Sequence, residues 1–280
     1  MSKCLILGFF DGIHKAHRAV INSAFKYSDD VTLITFKESP SKYFTNIAEY
    51  IFSRNESVEK IKSLGVAQIV ELDFSKIAKI SAEEYVKSLV EEYNPMSILT
   101  GFNHTFGYKK EGNAEVLKLL SKKYGFMYEC IPPVIENGEI VSSTLIKEYL
   151  KNGNVEYANF LLESNFVLEG SVIHGAKIGR TIGFPTANIR YPKNIVKLPF
   201  GVYFAEVNRK KAVMNWGMKP TLNNIQEPVL EVHIINFNGD LYDKDIRVEV
   251  LKQVRSEQKF DSLDELKEQI KRDVNLCLEL

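Results

Sequence analysis

His14 and His17 stand three residues apart in Leu5 to Val20, LILGFFDGIHKAHRAV, and are the first side chains whose types and spacing could do chemistry. On a helix that spacing puts both imidazoles on one face. Aimed at one point, they can donate hydrogen bonds to phosphate oxygens and to the charge that develops as a phosphorus bond breaks. The pair would equally serve as half of a zinc site or stand on a surface by accident, but His104, His174 and His233 make no second short-spaced ligand cluster. Positioning the pair takes a strand and a helix. Leu5, Ile6 and Leu7 read as a short buried strand, Gly8 and Gly12 loosen the backbone where it must turn, and Arg18 to Phe25 carries helical spacing. A helix therefore starts near His14, and its N-terminus offers unpaired N–H groups and a positive dipole end to a phosphate. Gly8, Phe10, Asp11 and Gly12 are the candidate phosphate-binding residues of the turn, with Asp11 open to two roles, placing Mg²⁺ or capping the turn.

Composition bounds the remaining possibilities. The 280 residues suffice for two ordinary domains with separate cores. Lys plus Arg and Asp plus Glu both number 36, so no global field attracts nucleic acid or an anionic membrane, and phosphate binding must be local. Cys4, Cys130 and Cys277 are odd in number and far apart, which speaks against a disulfide framework and for a reducing compartment. The apolar run from Leu5 to Phe10 is too short for a signal core, and no later segment approaches bilayer length. A cytoplasmic protein is expected, without nucleic acid or membrane as partner.

Along the N-terminal half, strand-like and helical stretches alternate. Val31 to Phe36, Val66 to Leu72, Met96 to Thr100 and Phe126 to Ile131 read as strands. Ser57 to Leu64, Ser81 to Tyr93 and Ala114 to Tyr124 read as helices, with Ser81 and Glu84 at capping-box spacing. This alternation predicts a parallel sheet covered on both faces, with ligands outside the carboxyl ends of its strands. Thr100 to Asn113, TGFNHTFGYKKEGN, follows a strand directly and reads as a binding loop or an ordinary glycine-containing loop. At Val141 to Leu150, Ser142, Ser143 and Thr144 crowd three hydroxyls at a helix start, where they can hold a phosphate or simply cap. The character changes near Ser164. Six β-rich runs at short spacing then indicate an antiparallel barrel or sandwich. A helix returns at Asp261, with Leu263, Leu266, Ile270, Val274 and Leu278 as its expected apolar face.

A second constellation lies in Gly170 to Asn188, GSVIHGAKIGRTIGFPTAN, where Gly175, Lys177, Gly179, Arg180 and Gly183 can approach phosphates or serve a glycine-turned hairpin. Thr186 and Asn188, beside Pro185, present neutral oxygens of the kind hard Mg²⁺ accepts together with substrate phosphates and water.

The stretch GFFDGIHKAH resembles the Gly-x-Phe-Asp-Gly-x-His-x-Gly-His signature of the nucleotidyltransferases that make FAD, with Ala16 in place of a glycine. Gly101 to Gly107 resembles that family's loop near flavin and nucleotide, and Ser142-Ser143-Thr144 its Ser-Ser-Thr-x-x-Arg element, with Lys147 in place of arginine. Lysine keeps the charge but loses the planar two-point fork. Gly179-Arg180, Gly183 to Asn188, Gly201-Val202-Tyr203, Asn215 to Thr221, Glu231-Val232-His233 and Arg255 to Phe260 resemble the riboflavin kinase pattern in order. The resemblance spans both halves and implies a bifunctional riboflavin kinase and FAD synthetase of α/β plus β class. A Rossmann-like nucleotidyltransferase domain over 1–163 would precede an antiparallel β-barrel kinase domain over 164–280 with a terminal helix.

It further implies ATP and riboflavin or FMN as substrates, with Glu231 as general base, and His14 and His17 stabilising charge in adenylyl transfer. Asn103, Phe106, Gly107, Phe184, Arg255 and Phe260 would contact flavin, Lys147 the phosphates, and Thr186 and Asn188 the metal. A kinase with a weak or inactive adenylyltransferase domain, and a flavin-sensing regulator on the same scaffold, remain alternatives.

Overall fold

The computed structural model describes residues 3–173, 183–220 and 226–280. The chain forms two compact units: one comprises residues 1–49 and 54–143, the other residues 50–53 and 144–280.

In the first unit, β1 (Lys3–Leu7), α1 (Lys15–Ala24), β2 (Asp30–Phe36), α2 (Pro40–Thr45), α3 (Arg54–Ser63) and β3 (Gln68–Leu72) are followed by α4 (Phe74–Ile77), α5 (Ala82–Tyr93), β4 (Pro95–Gly101), α6 (Ala114–Tyr124) and β5 (Met127–Ile131). The five strands make a parallel sheet in the order β3-β2-β1-β4-β5. Strand β1 is central because its alternate residues feed two cores. Cys4 and Ile6 pack with Val20 and Ile21 of α1, whereas Leu5 and Leu7 pack with Val86 and Leu89 of α5 and Leu117 of α6. The order reverses at β1, flanked by β2 and β4, so the turn after β1 occupies the switch point where such sheets bind ligands. The expected capping box of α5 is present in full.

Three elements here escape the periodicity. Helix α2 is capped by Ser39 with Pro40 in its first turn, a local start signal that the strand-helix alternation does not include. Helix α4 is a single turn capped by Asp73. The short strands β6 (Ile135–Glu136) and β7 (Glu139–Ile140) form a hairpin across Asn137 (φ 48°) and Gly138 (φ 83°), both left-handed as a type I′ turn requires.

From Thr144 on, the second unit carries α7 (Ser143–Lys151, its first residue counted with the first unit) and α8 (Val155–Leu162), then forms β8 (Phe166–Ile173), β9 (Ala187–Ile189), β10 (Gly201–Val207), β11 (Lys210–Pro220), β12 (Gln226–Ile234) and β13 (Asp245–Ser256). These six strands close into a barrel in the order β10-β11-β12-β9-β8-β13, which removes the exposed edges of an open sheet. The neighbouring strands pair antiparallel. Residues 50–53 belong here: Tyr50 exchanges backbone hydrogen bonds with Asn194 and Val196, Ser53 bonds Glu169, and the Phe52 ring stacks on Phe166. Nothing in the sequence reading anticipates that strap.

The C-terminal helix, Leu263–Glu279, starts at the expected Ser262 cap. Its buried face differs from expectation. Leu263 and Leu278 are 61% and 45% exposed, while Val274 and Cys277 pack against Val202, Phe204 and Val213 of the barrel wall. Asp273 is buried on the same face, and its partner is described below.

Candidate active sites

The first site is built where β1 ends. Gly12 (φ 94°) and Ile13 (φ 49°) both take left-handed backbone, and for a β-branched residue that conformation is strained. The surroundings hold it: Ile13 is fully buried, and its carbonyl accepts from Arg18 Nε at 3.1 Å. The distortion delivers His14 as the N-cap of α1, where Nδ1 accepts the His17 backbone N–H at 3.3 Å. With Nδ1 used as acceptor, the neutral ring carries its proton on Nε2, the atom that can donate outward. The His14 and His17 rings stack at 3.7 Å, and Phe10 lies 4.9 Å from His17 and over Gly8, where an added Cβ would meet its ring at 3.2 Å.

Burial lowers the His14 pKa to about 4 and, with help from His14, holds His17 well below its ordinary value. Both are therefore neutral donors at physiological pH. His17 Nδ1 is buried without a hydrogen-bond partner.

Ser143 completes this site from the far end of the unit's sequence. Its hydroxyl donates to the Asp11 carbonyl at 2.7 Å and lies 3.4 Å from His14 Nε2. Asp11 is 6% exposed. Thr144 and Lys147 follow Ser143 on α7 and are counted with the second unit. Lys15, at the start of α1, is paired with Glu136 of the hairpin at 2.7 Å, a link the sequence reading misses because the hairpin itself is missed.

In the loop after β4, Phe106 is a core residue, stacked on His104 and packed on Tyr85. Gly107 (φ 73°) is required there, since an added Cβ would stand 2.7 Å from the Ala82 nitrogen. Asn103 is exposed.

In the second unit, strand register assembles residues that the sequence scatters. Glu231 on β12 lies opposite Asn215 on β11 and opposite Asn188 on β9, so the three form one row across adjacent strands. Leu230 and Val232 are buried, so Glu231 alternates to the other side of the strand. That side lines a cavity of about 330 Å³ with Phe184, Thr186, Arg255 and Phe260, walled by Leu266 and Ile270 of the C-terminal helix. A second cavity of about 320 Å³ is lined by Thr186, Val232 and residues Phe237 to Tyr242. Thr186 lines both.

One glycine of the kinase-like motifs is dictated by close approach: a Cβ on Gly201 would strike the Arg255 carbonyl. The Arg255 guanidinium is held by Asp273, Nε to Oδ1 at 3.1 Å and a terminal nitrogen to Oδ2 at 2.9 Å, and it lies 5.8 Å above the Phe260 ring. Asp273 is missing from the sequence reading, although a carboxylate between Ile270 and Cys277 on an otherwise apolar helix face is a signal for a buried partner. Gly175, Lys177, Gly179 and Arg180 lie outside the described residues.

Among the described residues no group of three His, Cys, Asp or Glu side chains could hold a metal. Among them, too, no helix is long and apolar enough to cross a membrane.

Comparison with known proteins adds an independent line. The sequence profile of FAD synthetase matches residues 1–145 and that of riboflavin kinase residues 162–280. A bifunctional riboflavin kinase/FMN adenylyltransferase from Haemophilus influenzae is 32% identical over 283 aligned residues, covering 96% of this chain and 91% of the relative. The protein of the same name from Escherichia coli K12 is 33% identical, covering 96% and 90%. A crystal structure described as a macrolide-efflux protein from Streptococcus pneumoniae superposes with a TM-score of 0.90 at 33% identity, covering 100% of this chain and 94% of that one. Because identity above 30% runs through nearly the whole length of both chains, with one profile on each half, the chain belongs to the bifunctional riboflavin kinase/FMN adenylyltransferase family.

Proposed function

We propose that this chain phosphorylates riboflavin to FMN with one ATP and adenylylates FMN to FAD with a second. We assign the adenylyl transfer to residues 1–163 and the phosphorylation to residues 164–280. The observation that carries the kinase reading is the row Asn215–Glu231–Asn188, of which Asn215 and Glu231 line a cavity whose neighbour shares Thr186. Riboflavin occupies the cavity with Phe184, Arg255 and Phe260, and ATP reaches Thr186 from the other. Glu231 takes the proton of the riboflavin 5′-hydroxyl as its oxygen bonds the γ-phosphorus, and ADP leaves with the broken bridge oxygen. Thr186 and Asn188 offer neutral oxygens and Glu231 a single carboxylate, a donor set that fits Mg²⁺ held largely by substrate phosphates. When bound, that ion would neutralise phosphate charge. The chain's own residues position the hydroxyl and accept its proton.

In the N-terminal unit an FMN phosphate oxygen attacks the α-phosphorus of ATP and pyrophosphate leaves, without a covalent enzyme intermediate. Neutral His14, through Nε2–H, and His17 donate to the phosphate oxygens that gain charge, and the N-terminus of α1 adds its N–H groups. Gly8, Phe10, Asp11, Gly12, Ser142 and Ser143 complete the phosphate side, with exposed Asn103 toward the flavin. The free cysteines Cys4, Cys130 and Cys277 support placing this chemistry in a reducing cytoplasm.

A chromatographic time course with purified protein, Mg²⁺, ATP and riboflavin, repeated from FMN, tests the reading. FMN followed by FAD is expected. FMN accumulating without FAD would confine catalysis to the second unit, and no conversion of either flavin would refute both assignments.

A further inference from the structure

The turn Phe184-Pro185-Thr186 is fixed at one end by the β9–β12 ladder, where Ala187 pairs with Val232 and Asn188 with Glu231. Thr186 itself precedes the first residue of β9, so the ladder alone leaves its backbone unpaired on that side. The other end meets His233. This residue is two positions beyond Glu231, hence on the same side of β12, and lines the same cavity. Its Nδ1 lies 2.8 Å from the Pro185 carbonyl, and its ring meets Phe184 edge-on at 5.6 Å and 83°. A carbonyl oxygen can only accept, so the proton must sit on Nδ1.

We propose that His233 is a positioning residue of the kinase site: its Nδ1–H tethers the Pro185 carbonyl and thereby fixes where Thr186 presents its hydroxyl, opposite the strand that carries Glu231. The role rests on the kinase reading above. It follows from the geometry of transfer reactions, in which a displacement of about 1 Å at a group that orients substrate can cost roughly 100-fold in rate. The tether is a single hydrogen bond on a half-exposed residue, so a smaller effect is expected.

The test uses three full-length variants, H233A, H233N and H233Q. The asparagine amide nitrogen overlays the imidazole Nδ1 and keeps the donor, whereas the glutamine amide reaches toward the Nε2 position. H233A and H233Q should lower kcat/KM for Mg·ATP in riboflavin phosphorylation about tenfold, the scale of one lost net hydrogen bond. The riboflavin KM should move less than about threefold, because the tether acts on the phosphate side. H233N should restore the wild-type constants. Thermal unfolding of the three variants separates a lost tether from a lost fold, and the H233N to H233Q comparison stands even where H233A folds poorly. Independently of activity, long-range proton–nitrogen spectra of histidine-labelled protein should show His233 as the Nδ1–H tautomer.

Wild-type constants in H233A and H233Q, failure of H233N to recover, or an Nε2–H tautomer would each overturn the role of His233. A wild-type chain that makes no FMN would instead overturn the kinase reading and the role with it.

Discussion

Replacing Asp273 with alanine should loosen the C-terminal helix from the barrel and open the cavity that Glu231 faces. Asp273 is 3% exposed and accepts from Arg255 through Nε and a terminal nitrogen, and from Gln269 Nε2 at 2.9 Å. Removing one partner of a fully buried pair costs about 3–5 kcal/mol, because the remaining charge is left buried and unpaired. Here the Arg255 side chain is 21% exposed and can regain some water, whereas exposed pairs contribute less than about 1 kcal/mol. An intermediate loss of about 2–3 kcal/mol follows. For a unit of this size that corresponds to a fall of roughly 5–10 °C in Tm.

The assay is thermal and urea unfolding of the full chain, together with a double-mutant cycle against R255M, which should recover a coupling of about 1–2 kcal/mol. Asp273, Leu266 and Ile270 line the cavity assigned to riboflavin, so the riboflavin KM should rise in D273A with less effect on the KM for Mg·ATP. A D273A chain within about 0.5 kcal/mol of wild type, the range of ordinary surface substitutions, would refute the buried-pair argument. Lost stability with an unchanged riboflavin KM would refute the helix as a wall of the flavin cavity.

Three further outcomes are expected. E231Q keeps the shape of the side chain but removes the base, so riboflavin phosphorylation should fall roughly 100- to 10,000-fold while riboflavin still binds by fluorescence titration, and a near-wild-type rate would remove Glu231 from the mechanism. H14A should lower FAD formation from FMN roughly 100-fold or more by withdrawing one preorganised donor, as measured chromatographically, and S143A should lower it less, since Ser143 acts by bonding the Asp11 carbonyl. His14 and His104 have pKa values lowered by burial to about 4, below their ordinary value of about 6.5, so the unfolded chain binds their protons first. Stability should therefore fall as pH drops from about 6.5 towards about 4 and level off below, and H104F should flatten part of that slope in urea midpoints taken across the window.

Much of the molecule is legible in its residues. The alternating strands and helices of the N-terminal half, the Ser81 and Ser262 caps, the six β-rich runs and the change of character past α8 are local signals, because period and capping are set by neighbours a few residues apart. The His14 and His17 pair and the turn that delivers it are local in the same sense. The short helix α2 and the hairpin at Asn137-Gly138 are also written locally and are simply weak against longer patterns.

What only the tertiary structure decides is whatever depends on register or on distant chain. The row Asn215–Glu231–Asn188 exists because β12 pairs with β11 on one side and β9 on the other, and a one-residue slip would turn Glu231 inward. Ser143 reaches His14 from 129 positions away, and Tyr50 to Ser53 join the second unit from within the sequence of the first. Arg255 reads from its resemblance only as a flavin contact, and its buried partner Asp273 is found beside it only in the fold. The sequence by itself determined which groups are available and the elements that carry them. Closure of the barrel and stacking of helix on sheet decided which of them meet, since burial selects among distant partners that local propensity cannot distinguish.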